Sequence, residues 1–399
     1  MKIPELLSLS EGYALPFGDR QLSLNVGLHC TEAGPGHAFL VASVFGEENA
    51  ASAAREVYFR TAKALSRRNM SIVHERIFGS LGTEAMVLRA RKNALSEWKI
   101  PSSGPVTYVA ADPPWGKGLS GVIIHAVSLD DVDDAWTIMD GGDPCGRGWR
   151  RNGATYLQLQ SIQEQAGNGP EQVRGLLERA ERILRRNGAS YKDVARTWFY
   201  LSDILDWYPG FNESRNRKYA EFGIMPGLGD GRLLFPASTG VGADAPSGAA
   251  ASMDLLAVVS SDETKLPVRK LTNQGQLDAF RYGAAFSRGA VIEENDVKLI
   301  EVSGTAAIDE HGVSLYPGDI RSQIDCTLDK IAMLLGQEGA GLADICAATV
   351  FVKRPEYAEV FRQVAADRGL ADLPAVCVVA DVCREELLFE IDAEAIVRS

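Results

Sequence analysis

Strand-like runs, apolar or β-branched at every second position, alternate along this chain with amphipathic runs of helical period, and one order of elements recurs three times. The first unit reads LSLNVGL (22–28), HAFLVASVF (37–45), a helix from Ala51 to Asn69 with Val57, Ala64 and Leu65 on one side, and SIVHERIFG (71–79). A second helix from Thr83 to Trp98, PVTYVAA (105–111) and SGVIIHAV (120–127) complete it. The order is β, β, α, β, α, β, β.

A Gly-rich stretch, MDGGDPCGRGWRRNG, reads as a connector to a second unit that opens with TYLQLQSI (155–162). Its first helix, from about Pro170 to Asn187, carries Val173, Leu176, Leu177, Ala180 and Leu184 as one apolar stripe. The strand in ASYKDVARTWFYLSDI, the helix in FNESRNRKYAEFG and the strands RLLFPASTGVGA and AASMDLLAVVS follow. After the linker SDETKLPVRKLTNQGQLD the third copy is clearest, with the strand KLIEVSGTAAI (298–308) and a helix over 319–339. Gly188 and Gly339, just beyond amphipathic runs, suit left-handed helix ends. The expected modules span 20–128, 150–260 and 280–399. A sheet with both helices on one face leaves its other face bare, so the expected fold is α+β, with three tandem modules packed as an intramolecular pseudo-trimer and helices outside.

Composition narrows the function. With 24% charged and 46% hydrophobic residues over 399 positions, the chain is a folded globular protein and not a disordered one. No apolar run is long enough to span a bilayer, and the N-terminal MKIPELLSLSEGYALPFG carries acidic residues and prolines where a signal peptide is apolar, so the cytoplasm is expected. Six cysteines without CxxC spacing and five scattered histidines suggest reduced thiols and no metal site. A net charge of -12 gives no general attraction to nucleic acid.

One stretch places carboxylates within an apolar strand. In LLFEIDAEAI, Phe389, Ile391 and Ala393 alternate with Glu390, Asp392 and Glu394. A carboxyl on a half-buried strand resists ionisation, so Glu390 is a candidate proton donor near neutrality. The alternative is that the three acids form the wet face of an edge strand.

The third unit resembles the Rid family (YjgF, endoribonuclease L-PSP) through VSGTAAI, the helix QIDCTLDKIAMLLGQEG with its following strand, and PAVCVVADV…LLFEIDAEAI. That resemblance implies a chorismate-mutase-like fold with sites between units. Rid deaminases hold the substrate carboxylate with an arginine two residues after the proline of a PARS-type motif. Here that place is Val376, and PAST and PVTY in the other units also lack it. Valine cannot form a bidentate clamp.

A narrower resemblance, to the chorismatases within the Rid superfamily, rests on Ala195 to Tyr200, Pro236 to Ala243, Ser303 to Ala307 and Asp381 to Glu390. It covers roughly residues 150–399 and departs at Ala307, where the family has glycine. It implies an enzyme that removes pyruvate from chorismate with no metal or organic cofactor. Glu390 would be the acid, since cleaving the enolpyruvyl ether requires protonating its methylene carbon. Cys383 and Gly304 match the 3-hydroxybenzoate-forming subclass, and Arg196, Arg215, Tyr208 and Tyr156 are its candidate substrate-binding residues, ahead of Arg217, Lys218 and Lys353. The expected partner is a small carboxylate such as chorismate, with no nucleic acid and no membrane, in a monomeric pseudo-trimer or a higher homo-oligomer. The alternatives are a Rid-type enamine or imine deaminase and a noncatalytic ligand- or RNA-binding protein of the same fold.

Overall fold

Each amphipathic helix lies where its apolar stripe meets a sheet. The computed structural model describes residues 26–33, 36–46, 49–101, 104–116, 118–225, 235–262, 267–272, 283–295 and 297–398. Part of the first expected strand (22–25) and parts of the expected linker lie outside the described residues.

The first unit comprises β1 (Val26–Ala33), β2 (His37–Val44), α1 (Ala50–Ser66), β3 (Met70–Gly79), α2 (Glu84–Glu97), β4 (Thr107–Ala110) and β5 (Leu119–Ser128). The second comprises β6 (Asp134–Asp140), β7 (Asp143–Arg151), β8 (Ala154–Gln163), α3 (Gly169–Arg186), β9 (Val194–Leu201), α4 (Ile204–Glu221), β10 (Ala237–Gly242) and β11 (Ala251–Ser260). The third comprises β12 (Val268–Leu271), β13 (Gly289–Glu293), β14 (Val297–Thr305), α5 (Ile320–Gly336), β15 (Ile345–Val352), α6 (Tyr357–Asp367), β16 (Ala375–Val379) and β17 (Phe389–Arg398).

Among the described residues these strands form three mixed sheets, ordered β1-β2-β5-β3-β4, β10-β9-β11-β8-β7-β6 and β12-β13-β14-β17-β15-β16. Setting aside edge strands β6 and β12, the three orders are the same. In each, one strand pair is parallel: β3 with β4, β9 with β10, β15 with β16. The fold is α+β with three Rid-like units, as the repeat implied.

The Gly-rich connector is instead a hairpin, with β6 and β7 paired through a turn at Gly141 and Gly142 and β7 added to β8. Both turn glycines have positive φ, +63° and +99°. Gly148 serves a different purpose, because a side chain there would collide with the Trp136 ring. With Gly153 in the turn to β8 at φ +76° and Gly146 packed against the Gln158 carbonyl, the glycine density reflects tight turns and close cross-strand contacts, not a flexible linker. Helix α3 starts as its sequence suggests: Asn168 and Glu171 form a reciprocal cap, Pro170 opens the first turn, and Gly188 follows the end at φ +80°.

The helices pack in pairs on one face of each sheet. Val173, Leu176, Leu177, Ala180 and Leu184 of α3 are fully buried against Leu157, Leu159 and Leu255. The opposite faces of all three sheets meet one another, in a shared core that includes Phe39, Phe78 and Ile123, then Trp198, Tyr200 and Val241, then Phe351, Val376 and Val378. Backbone hydrogen bonds close the ring of units near the ends of the short parallel strands. Ala110 N donates to Asp244 O at 3.0 Å, Val379 N to Asp112 O at 2.9 Å and Gly242 N to Asp381 O at 2.8 Å.

Strand β17 is central in its sheet, which corrects the edge-strand alternative. Phe389, Ile391 and Ala393 face the helices, and the alternating face of Glu390, Asp392 and Glu394 is buried. Pairing registers give Glu390 two counterparts: it lies opposite Phe351 as Ser252 lies opposite Tyr200 and Gly121 opposite Phe78. At Gly121 an added Cβ would strike the Ala42 carbonyl and come within 2.8 Å of Val376 Cγ2. Gly121→Ala should therefore lower unfolding free energy by about 1–3 kcal/mol, measured by denaturant titration, with the cost coming from overpacking the junction of the first and third units.

Candidate active site

Of the three counterpart positions only residue 390 carries a carboxyl. It faces a cavity of about 410 Å³ between the second and third units. Helix α4 contributes Tyr208 and Arg215, and the third unit contributes Phe286, Arg288, Gly304, Cys383 and Arg384.

Glu390 is 5% exposed. Burial first, and the neighbouring Asp392 second, push its carboxyl up to about 8, against the opposing pull of Arg196 and Arg288. At neutral pH it is therefore mainly a neutral acid. Gly304 makes room for it: a Cβ on Gly304 would overlap Glu390 Oε1 and approach its carboxyl carbon to 3.0 Å. The glycine thus serves the acid's position as well as the cavity's volume.

Cys383 sits beside the acid. Burial raises its thiol to about 12, Glu390 adds to the rise, and a hydrogen bond with Tyr208 works against it. It is a protonated thiol, unsuited to nucleophilic attack. Arg215 is buried, stacks over Phe211 with its guanidinium carbon 4.8 Å from the ring centre, and donates from Nη2 to Asn212 Oδ1 at 2.7 Å. Among the described residues it makes no ion pair, and its Nε has no hydrogen-bond partner. Arg288, 3% exposed, lies over Phe286 at 5.2 Å, and Arg384 donates to Gly312 O at 2.8 Å and Ser314 Oγ at 3.1 Å. Three guanidiniums around one neutral acid make the cavity suited to an anionic ligand that is to receive a proton.

The structure thus brings together Glu390, Cys383, Gly304, Tyr208 and Arg215. It places two of the expected ligand-binding residues elsewhere. Tyr156 is 1% exposed, stacks on Trp149 at 4.9 Å and donates to Glu294 Oε1 at 2.6 Å, between the sheets and away from the cavity lining. Its motif position had suggested substrate contact, but the side chain is spent on an acid that also receives Arg151 at 2.6 Å. Arg196 is 1% exposed behind the cavity and donates to Thr239 Oγ1 at 2.7 Å and Asp392 Oδ2 at 3.2 Å. Of the weaker cations, Lys218 is paired with Glu178 and Lys353 with Glu385. Phe286, Arg288 and Arg384 were missed. The first two stand two residues apart ahead of β13, a spacing that puts both side chains on one side of an extended chain, and Arg384 is adjacent to Cys383.

The same third unit is matched by a family model. Residues 277–397 match Endoribonuclease L-PSP, so the chain carries a domain of that Rid/YjgF family. It is also homologous to curated chorismatases. One, from Streptomyces hygroscopicus, is 27% identical over 303 residues, which cover 69% of this chain and 83% of that protein. A 3-hydroxybenzoate synthase from the same organism is 25% identical over 229 residues, covering 51% of this chain and 63% of its own length. A crystal structure of a chorismatase shares the fold with a TM-score of 0.60 at 21% identity, over 82% of this chain and 93% of that one. Among the described residues no helix is long and apolar enough to cross a membrane, and no group of three His, Cys, Asp or Glu side chains is placed to hold a metal ion.

A neutral buried acid leaves a signature in stability. The Glu390 carboxyl is raised from an ordinary value of 4.5 to about 8 in the folded state, so folding takes up a proton between those limits. The associated stability is fully present below 4.5 and is lost as pH rises through about 8. Glu390→Gln removes this loss. Its melting temperature relative to the wild type should rise from pH 5 to about pH 8 and level off above that, with the two variants most alike at the acid end; a pH-independent difference, read by calorimetry from pH 5 to pH 9, would refute a raised carboxyl.

Proposed function

We propose that the chain releases pyruvate from chorismate, with Glu390 as the general acid and 3-hydroxybenzoate as the second product. The observation that carries this reading is the desolvated, protonated Glu390 facing an arginine-rich cavity in a chain homologous to chorismatases and to a 3-hydroxybenzoate synthase.

The chemistry follows from the residue types. Glu390 donates its proton to the methylene carbon of the enolpyruvyl ether, which becomes the methyl group of pyruvate. Positive charge develops at the ether carbon, and the bond between the ring and the ether oxygen then has to break. If the ring's own hydroxyl oxygen bonds to the carbon that pyruvate leaves and its bond to its original carbon then breaks, loss of a ring proton gives the aromatic acid, and the one proton released overall can restore Glu390. Chorismate then becomes 3-hydroxybenzoate and pyruvate without consuming water. Attack by external water would instead give a dihydroxy-cyclohexadiene acid. Arg215 and Arg288 are suited to the substrate's carboxylates. The Cys383 thiol, a weak hydrogen-bond partner already engaged with Tyr208, is a poor seat for a nucleophilic water.

A Rid-type deaminase is the second reading, because Arg288 beside Glu390 supplies a cation that the PAVC motif does not. Incubation with chorismate, followed by lactate dehydrogenase detection of pyruvate and chromatography of the aromatic product, separates the two. Ammonia from an amino-acid-derived enamine with no pyruvate from chorismate would favour the deaminase.

Under the chorismatase reading Glu390→Gln should lower turnover about 10²- to 10⁴-fold, because the amide cannot donate the proton. Undiminished pyruvate release in that variant rules the role out. Arg288→Ala should chiefly raise KM, by about 10- to 100-fold, as expected for a lost charged hydrogen bond.

Product choice is tested by Cys383→Ala with Gly304→Ala. Flux should pass in part to the diol while pyruvate release continues at a reduced rate, since the alanine at 304 displaces the Glu390 carboxyl. Cys383→Ala alone leaves the acid in place, and an unchanged product ratio in both variants would show that neither position controls the outcome.

A further inference from the structure

The cavity wall behind Glu390 is joined to the interior of the molecule by one short hydrogen-bonded chain. Gly304 N donates to Thr239 Oγ1 at 3.1 Å, Thr239 Oγ1 donates to Asp392 Oδ2 at 2.8 Å, and Arg196 Nη2 donates to both Thr239 Oγ1 at 2.7 Å and Asp392 Oδ2 at 3.2 Å. Gly304 is the residue whose missing side chain leaves Glu390 its niche. The Arg196 guanidinium therefore lies one hydrogen-bonded residue from the acid's niche, in a setting where Arg196 and Asp392 are each 1% exposed.

Asp392 stands two residues from Glu390 on the same face of β17, roughly 7 Å along the strand. A buried arginine pairs with whichever carboxylate it can reach, and a paired carboxylate gives up its proton. Around Glu390 the charged and titratable groups are Asp392 on its own strand, Arg196 on β9, Arg288 ahead of β13, Arg215, Glu213 and Tyr208 on α4, and Cys383 and Arg384 in the preceding loop. Arg288 and Arg384 lie on the cavity side. From within the fold come Arg196, which also faces Glu301 of β14 at 3.5 Å, and Arg76 of β3, which lies 4.0 Å from Asp392.

We propose that Asp392 is a positioning residue for the acid: by binding the Arg196 guanidinium on the Thr239 hydroxyl it keeps that cation from pairing with Glu390, which therefore holds the proton it is to donate. Arg196, expected from its motif to bind substrate, belongs on this account to the apparatus that sets the acid. The inference rests on Glu390 being the acid, but its test reads the carboxyl directly and does not depend on turnover.

The experiment is an infrared pH titration of the full chain carrying carboxyl-labelled glutamate, without substrate. The Glu390 band is assigned by its loss in Glu390→Gln. In the wild type its midpoint should lie near 8. In Asp392→Asn the loss of the aspartate charge and the release of Arg196 from it, with Glu301 left as its neighbour at 3.5 Å, should together lower it by at least about one pH unit. The double variant Asp392→Asn with Arg196→Gln removes both charges together, a replacement that buried ion pairs often tolerate, and the midpoint should return toward the wild-type value. A role limited to packing would not give this reversal, since greater water entry would hold the double variant as low as the single one.

An unmoved midpoint in Asp392→Asn, or a double variant no higher than the single, overturns the proposal. Should Asp392→Asn fail to fold, Arg196→Gln reports the same contact from its other side: its midpoint must rise, and a fall or no change is again decisive. A titration that behaves as expected in a protein that releases no pyruvate from chorismate would leave Asp392 its role and remove only the assigned reaction.

Discussion

Burying an acidic strand face is the constraint on which the rest of this molecule depends. Glu390, Asp392 and Glu394 of β17, with Glu301 of β14, meet Arg76 of β3 and Arg196 of β9 where the three sheets converge. Arg76 Nη2 lies 2.7 Å from Glu394 Oε1, and Arg196 Nε lies 3.5 Å from Glu301 Oε2. Both guanidiniums also stack over Trp198, at 4.9 and 4.6 Å. Taking these charges out of water is costly, and Coulomb attraction offsets the cost only when geometry is good. Arg76 and Arg196, with Arg288 reaching Glu390 from the cavity side, leave the four carboxyls in excess of the cations, which favours protonated forms among them. Burial, with Glu394 close by, raises Glu301 to about 8, as burial raises Glu390. A protonated acid at the cavity is thus one expression of a charge imbalance that runs through the whole axis.

The three junctions also differ in the side chains that stand at equivalent places. Thr107, Thr239 and Val376 occupy equivalent places on the parallel strands, opposite Arg76, Trp198 and Thr349. Thr239 reaches the acid's niche through Gly304 N. Thr107 is spent on Asp254 at 2.6 Å, and Val376 closes against Gly121 with an apolar contact. Similar backbones therefore carry a polar relay, a closed hydrogen bond and a dry contact at three related positions. The shared core has to accept all three, which it does because the apolar residues around them, such as Phe78, Tyr200 and Phe351, hold equivalent places in the pairing.

What the chain disclosed about itself follows the range of the interactions involved. Helix α3 and strand β17 were legible because their patterns are local: an apolar stripe with caps in one, strict alternation in the other. The inward direction of the acidic face was not, since alternation says that Glu390 and Phe389 point to opposite sides without saying which side is wet. The hairpin of β6 and β7 was hidden because glycine has the same letter whether it permits a turn, as at Gly141, or a close ring contact, as at Gly148. That Tyr156 and Arg196 lie off the cavity lining was hidden for a different reason. Their partners, Glu294 and Asp392, are 138 and 196 residues away, and a motif records neighbours along the chain only. Arg288 went unnoticed because its importance comes from lying across from α4, a relation made by tertiary packing.

The hydrogen bonds that close the ring near the ends of β4, β10 and β16 join units that are segments of one polypeptide. In a ring of identical subunits, any substitution is made three times at once, and a change that helps one junction must be borne by the other two. Covalent continuity removes that restriction. Here a carboxyl, a serine and a glycine stand at three positions that are equivalent in the strand pairing, each fitted to its own surroundings. Each junction is thereby released to change by itself, one keeping a buried carboxyl at its cavity while another closes with an apolar contact.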